Sequence, residues 1–102
     1  MPDRDPLSDD QIDADLPDGW DLQSDGEGNH IERQFEFSDF REAWAFLTRV
    51  AFEAEGMNHH PEIANVYSTV HLALSTHDAD DRVTETDLEL ARRINRLDSP
   101  AS

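Results

Sequence analysis

Between Ile31 and Ala54 the hydrophobic period of this chain changes from two to about 3.6 within three residues. Ile31, Arg33, Phe35 and Phe37 alternate with Glu32, Gln34 and Glu36, the pattern of a strand with Ile31, Phe35 and Phe37 on one face. Phe40, Ala43, Trp44, Leu47, Val50, Ala51 and Ala54 then fall on one helical stripe. Ser38 or Asp39 supplies the cap of that helix, and Gly56 its expected end. The Trp44/Phe46 pair is assigned to core packing. Phe52 lies well off the stripe, so it is either exposed or part of a subunit contact.

The flanking sequence completes the pattern. Ser8 with Gln11 forms a capping-box signature for a short first helix, Leu7 can staple onto Ile12, and Pro17 with Gly19 ends it. Trp20 and Leu22 alternate with polar residues, and Asp25 to Asn29 is a turn, so residues 20–37 form a hairpin. The Ile-, Val- and Thr-rich run 62–76 is too long for one strand and is split into a second hairpin bending near Tyr67-Ser68-Thr69. Asp78 to Arg82 is an acidic loop. Thr84 caps the last helix with Asp87 at its third position, and Leu88, Ala91, Ile94 and Leu97 form its buried face. The order α-β-β-α-β-β-α gives an α+β fold: a four-stranded antiparallel sheet with three helices packed on one face. Residues 7–98 form the single domain, between flexible ends at 1–6 and 99–102.

Composition limits what such a domain can bind. Its 102 residues carry 24 acids and 8 basic residues, all arginine, for a net charge of −16. Nucleic acid needs a basic stripe, which scattered arginines do not supply, and an anionic membrane surface repels the chain. The longest apolar run, Ala43 to Leu47, is far short of a membrane span, and the first residues carry no secretory signal. A cytoplasmic protein is expected. With no cysteine, disulfides, thiolate metal sites and a cysteine nucleophile are excluded. The acids are spread along the whole chain, ten in the first 28 positions and fourteen after. Self-repulsion of that extent opposes compaction at ordinary salt and is screened at molar salt, which points to a salt-accumulating halophile. A domain this small buries only about 60–65% of its unfolded surface. A homo-oligomer, dimer or tetramer, is therefore expected.

Chemistry centres on histidine. His59-His60-Pro61 follows the long helix, and His77 closes the second hairpin. Adjacent residues of extended chain point opposite ways, so His59 and His60 are expected to do different jobs, and Pro61 stiffens their loop. One reading is general acid–base catalysis by two imidazoles with a carboxylate such as Glu55 or Asp87. Another is a metal held by His59, His60 and His77, which no ligand-spacing motif supports. A third leaves these as surface or hydrogen-bonded histidines, the role given to His30 and His71.

Taken in order, the motifs resemble one family. Gly19-Trp20, Gln34 to Phe40, Thr48 to Ala51, Ala54-Glu55, His59-His60-Pro61-Glu62, Asn65-Val66-Tyr67, Val70-His71, Leu74 to His77 and Asp87 are similar to those of pterin-4a-carbinolamine dehydratases. The likeness spans about residues 16–97. It implies the same four-stranded, three-helix fold. It also implies a lyase, 4a-hydroxytetrahydrobiopterin dehydratase, which removes the 4a-hydroxyl as water and leaves quinonoid dihydropterin in tetrahydropterin recycling. No metal or organic cofactor is implied. By the resemblance His59 and His77 are the acid–base pair, His60 and Pro61 hold and shape the pterin site, Glu55 supports His59, and Asp87 orients His77. Ile63, Ser68 and the glycine-free loop Asp78 to Asp81 depart from the family pattern. Two alternatives stand beside the enzyme: a non-catalytic dimerisation or binding module of the same fold, and an enzyme for another pterin, such as one of molybdenum-cofactor metabolism.

Overall fold

The computed structural model describes residues 5–24 and 27–98. Residues 1–4 and 99–102, within the ends expected to be flexible, and Asp25-Gly26 of the first turn lie outside the described residues. The elements are α1 (Asp9–Asp15), β1 (Asp21–Ser24), β2 (Asn29–Glu36), α2 (Phe40–Gly56), β3 (Glu62–Val66), β4 (Thr69–Leu74) and α3 (Glu85–Asp98), with a 3-10 turn at His77–Ala79. The strands form one antiparallel sheet in the order β1-β2-β4-β3.

One face of the sheet carries the core. Ile31 and Phe35 of β2 and Val70, Leu72 and Leu74 of β4 are buried with Ile12 of α1 and the inner faces of α2 and α3. Ile31 pairs with Leu74 and Phe35 with Val70, so the alternation of each strand points its apolar set the same way. The other face presents Glu32, Gln34, Thr69 and His71.

Local chemistry sets the element ends. Ser8 and Gln11 form the reciprocal capping box of α1, and Leu7 and Ile12 both pack into the core. Asp39, not Ser38, caps α2, accepting from the Glu42 amide at 2.8 Å. Gly19 has φ 85, and a Cβ there would lie 2.7 Å from Arg33 Nε. That guanidinium lies over the Phe35 ring and donates to Asn95 of α3, which also accepts from the Trp20 indole. Between β3 and β4 the turn is Tyr67-Ser68. Tyr67 takes φ 51 without a glycine because the Asn65 amide donates to the carbonyls of both Tyr67 and Thr69.

The buried arc of α2 is rotated from the expected stripe. Ala43, Phe46, Leu47, Val50 and Ala54 are buried, while Phe40, Trp44 and Ala51 are exposed. Phe46 is drawn inward by the rings of Phe35 in β2 and Phe37 just after it, with centroids at 4.8 Å and 5.0 Å. Trp44 stacks on Phe40 at the surface, 57% exposed, so only Phe46 of the Trp44/Phe46 pair is core. Phe52 is 74% exposed. On α3, Leu90 joins Leu88, Ala91 and Ile94 in the core and Leu97 is half-buried. No helix among the described residues is long and apolar enough to cross a membrane.

Candidate active site

The site begins where α2 ends. The helix runs through Gly56, and the residue that turns left-handed is Asn58, φ 51, rather than the glycine expected to stop it. The Asn58 amide donates to the Glu55 carbonyl and the His59 amide to the Ala54 carbonyl, both at 3.0 Å, a Schellman ending. This turn separates two adjacent histidines. His59 is buried, 6% exposed, and His60 is open to solvent.

Each imidazole then meets its own carboxylate. His59 Nε2 is hydrogen-bonded to Asp87 Oδ1. Asp87 is fully buried at the third position of α3, and its Oδ2 accepts from Thr76 Oγ1 at 2.8 Å and the Thr84 amide at 2.9 Å. The cap of α3 therefore doubles as the anchor of His59. His60 Nε2 lies 2.9 Å from Glu55 Oε1. His77 Nδ1 lies 2.5 Å from Asp81 Oδ1. The pairing of Glu55 with His59 and of Asp87 with His77 is thus corrected. The helix ending swings His59 inward to α3 and leaves Glu55, one turn back on the outer surface, facing His60. His77, on an exposed turn, meets Asp81 of its own loop.

The three imidazoles share one concavity. A cleft of about 350 Å³ is lined by His30, His60, Glu62, Ser75, His77 and Asp81, among others. A neighbouring cleft of about 200 Å³ adds Asn58, His59 and Asp78, and the two share His60, Ser75 and His77. Pro61 is half-buried between His60 and β3. An ionised carboxylate only accepts, so the ring nitrogen facing it carries the hydrogen, and in a neutral ring the other nitrogen is left to accept. Such a set can donate and accept protons around one bound molecule. Among the described residues no group of three His, Cys, Asp or Glu side chains converges as metal ligands do.

On the open sheet face, His30 Nε2 lies 2.8 Å from Glu32 Oε1 and His71 Nε2 3.7 Å from Glu32 Oε2. The hydrogen bond from His30 is the main cause holding the Glu32 carboxyl below its ordinary range, against partial burial. His30 also lines the larger cleft. Sequence reasoning missed Ser75, Thr76 and Asp81. Thr76 lies directly before His77, but no local signal tells that it serves Asp87. Asp81 is four residues from His77, a spacing hidden inside an acidic run.

Comparison with known proteins gives one consistent family. The family model for pterin 4 alpha carbinolamine dehydratase matches residues 5–97. A Mesorhizobium japonicum relative, provisionally named pterin-4-alpha-carbinolamine dehydratase, is 49% identical over 94 residues, covering 90% of this chain and 93% of its own. An Opitutus terrae relative of the same provisional name is 49% identical over 79 residues, covering 78% of this chain and 77% of its own. The crystal structure of a transcriptional coactivator/pterin dehydratase from Brucella melitensis superposes with a TM-score of 0.84 at 36% identity, over 93% of this chain and all of that one. A pterin dehydratase-like protein identified as a RuBisCO assembly factor in the alpha-carboxysome shares the fold, with a TM-score of 0.68 at 21% identity over 81% of this chain and 93% of that one. With residues 5–97 matched, nearly the whole chain, the protein belongs to the pterin 4 alpha carbinolamine dehydratase family.

Proposed function

We propose that this protein dehydrates a 4a-hydroxytetrahydropterin to the quinonoid dihydropterin by histidine general acid–base catalysis. The C4a–O bond breaks, the hydroxyl takes a proton and leaves as water, and the N5 proton is lost. His59 and His77 exchange these protons, while His60 and Pro61 hold and shape the pterin pocket. Asp87 positions His59 and Glu55 positions His60. The observation that carries this reading is that four carboxylate-paired imidazoles, His30, His59, His60 and His77, line adjoining clefts in a chain of this family. Tetrahydrobiopterin recycling in a salt-rich cytoplasm is the setting we infer from the family and the net charge of −16. Dehydration of a freshly generated 4a-hydroxytetrahydropterin in molar KCl tests it. Wild type should exceed the uncatalysed rate, and His59→Ala and His77→Ala should each lose the excess. No acceleration by folded wild type would overturn the assignment.

A second reading is supported by a different surface. Phe40, Trp44 and Phe52 leave apolar rings exposed along α2, and the edge strand β3 exposes Ile63 and Val66. We propose that the chain self-associates through the α2 face. Pairing α2 antiparallel with a second copy about Thr48 sets Trp44 opposite Phe52 and Arg41 opposite Glu55 by index. Such a face also suits a binding module; the Brucella relative is described as a transcriptional coactivator as well as a pterin dehydratase.

A further inference from the structure

The loop that carries His77 holds a carboxylate no motif assigned. Asp81 faces the His77 ring across 2.5 Å, and both residues line the larger cleft. Exposed ion pairs commonly contribute little, because two free side chains must be ordered to make them. This one has its backbone ordered in advance. Asp80 and Asp81 both hold φ 58, a left-handed conformation that aspartate adopts at a cost. The Asp81 carbonyl accepts from the Asn29 amide at 3.1 Å, and the next carbonyl, of Arg82, accepts from the Thr76 amide at 2.9 Å. The approach to β2 is open only because residue 28 is glycine, where a Cβ would meet the Asp81 carbonyl oxygen at 2.7 Å. Strain, two backbone bonds and one glycine thus fix where the Asp81 carboxylate sits relative to His77.

We propose that Asp81 is a positioning residue for His77, holding its ring as the Nδ1–H tautomer so that Nε2 is the nitrogen left to exchange a proton with the substrate. Free imidazole side chains favour the opposite tautomer, so the neutral ring needs an acceptor on the Nδ1 side to be held this way. The titratable groups that line the two clefts with that ring are Asp81 and Asp78 of its own loop, His59 and His60 of the α2–β3 connection, Glu62 of β3, Glu27 just before β2 and His30 within it. Of these, the bond described to an imidazole nitrogen of His77 is that of Asp81.

The kinetic consequence rests on the dehydratase reading, whereas the tautomer does not. Nitrogen-15 spectra of the histidine rings, recorded in molar KCl, should show neutral His77 as Nδ1–H in wild type. Asp81→Gly keeps the left-handed backbone with less strain and removes only the carboxylate. It should return His77 to Nε2–H and lower kcat roughly tenfold with KM unchanged. Asp81→Asn keeps an acceptor oxygen and should retain the tautomer and most of kcat. A wild-type His77 already in the Nε2–H form, or an Asp81→Gly variant with wild-type tautomer and kcat, would overturn the proposal. An Asp81-dependent tautomer in a wild type that dehydrates no pterin would support the positioning role and sink the function reading instead.

Discussion

Asp87 reaches His59 from 28 residues further along the chain, and it does so from complete burial. One oxygen holds the imidazole and the other closes the cap of α3, so a single carboxylate serves folding and site together. Asp87→Ala strands the buried Thr84 amide and the buried His59 ring nitrogen, while the Thr76 hydroxyl keeps the Thr84 hydroxyl as a partner. Each buried group left unpaired costs about 1–3 kcal/mol, so urea denaturation should show a loss of about 2–5 kcal/mol. Asp87→Asn preserves more of the cap and should lose less stability, yet it should still cut kcat/KM about tenfold or more. Equal stability losses in the two variants would break this link.

Gly28 is required by contact rather than by conformation. A Gly28→Ala methyl meets backbone at 2.7 Å, and backbone cannot rotate away. We expect about 1–3 kcal/mol of destabilisation in thermal melts, the usual cost of overpacking, with a weaker dehydratase rate because the Asp81 loop is displaced. Unchanged melting would show that the loop yields freely.

Stability should fall as the solution is acidified through the carboxylate range. Glu89 is held below its ordinary value chiefly by its hydrogen bond from Arg93, then by Arg92, against some burial; Glu32 is lowered by His30. A folded-state value below the unfolded one means the stabilisation is present above the unfolded value and is lost as pH falls through the folded one. Partial exposure keeps each contribution to a few tenths of a kcal/mol. Urea titrations across that range should therefore be shallower in Glu89→Gln than in wild type.

Salt should act in the opposite sense to its usual effect on a protein held by surface ion pairs. With a net charge of −16 on 102 residues, screening relieves more repulsion than it removes attraction. The melting midpoint in molar KCl should exceed that in low salt by at least about 5 °C, the shift that about 1 kcal/mol gives a domain of this size. A lower midpoint in molar KCl would remove the halophile reading.

Self-association is checked by light scattering. Phe52→Glu and Trp44→Glu replace rings that are 74% and 57% exposed, so the fold should survive. The mass in solution should drop toward one chain in both. A wild type already at one chain would dismiss the α2 face as an interface between copies.

Most of the fold was legible because it is written locally. The alternation through Phe35, the capping pair Ser8 and Gln11, and the Thr84 to Asp87 signature each act over a few residues. The exposed side of α2 was misjudged because helical spacing admits two overlapping stripes there. What selects between them is a pair of rings from elsewhere, Phe35 in β2 and Phe37 just after it. The same distinction divides the site. His59, His60 and His77 stand out as residue types in a recognisable order, but which acid each one meets depends on a helix ending and on contacts 28 residues apart. Glu55 and Asp87 each meet a different ring from the one expected, His60 and His59 respectively. Asp81 was hidden because a row of aspartates looks like ordinary solvated surface.

The two central strands pair Ile31 with Leu74, and that register gathers the start of β2, the end of β4, the end of α2 and the start of α3 at one end of the sheet. No two of these segments make the site alone. Enzyme activity during refolding should therefore appear only with the final native topology, as a late and all-or-none signal. A truncated chain lacking α3 would keep all five of its histidines and lose the acceptor that holds His59.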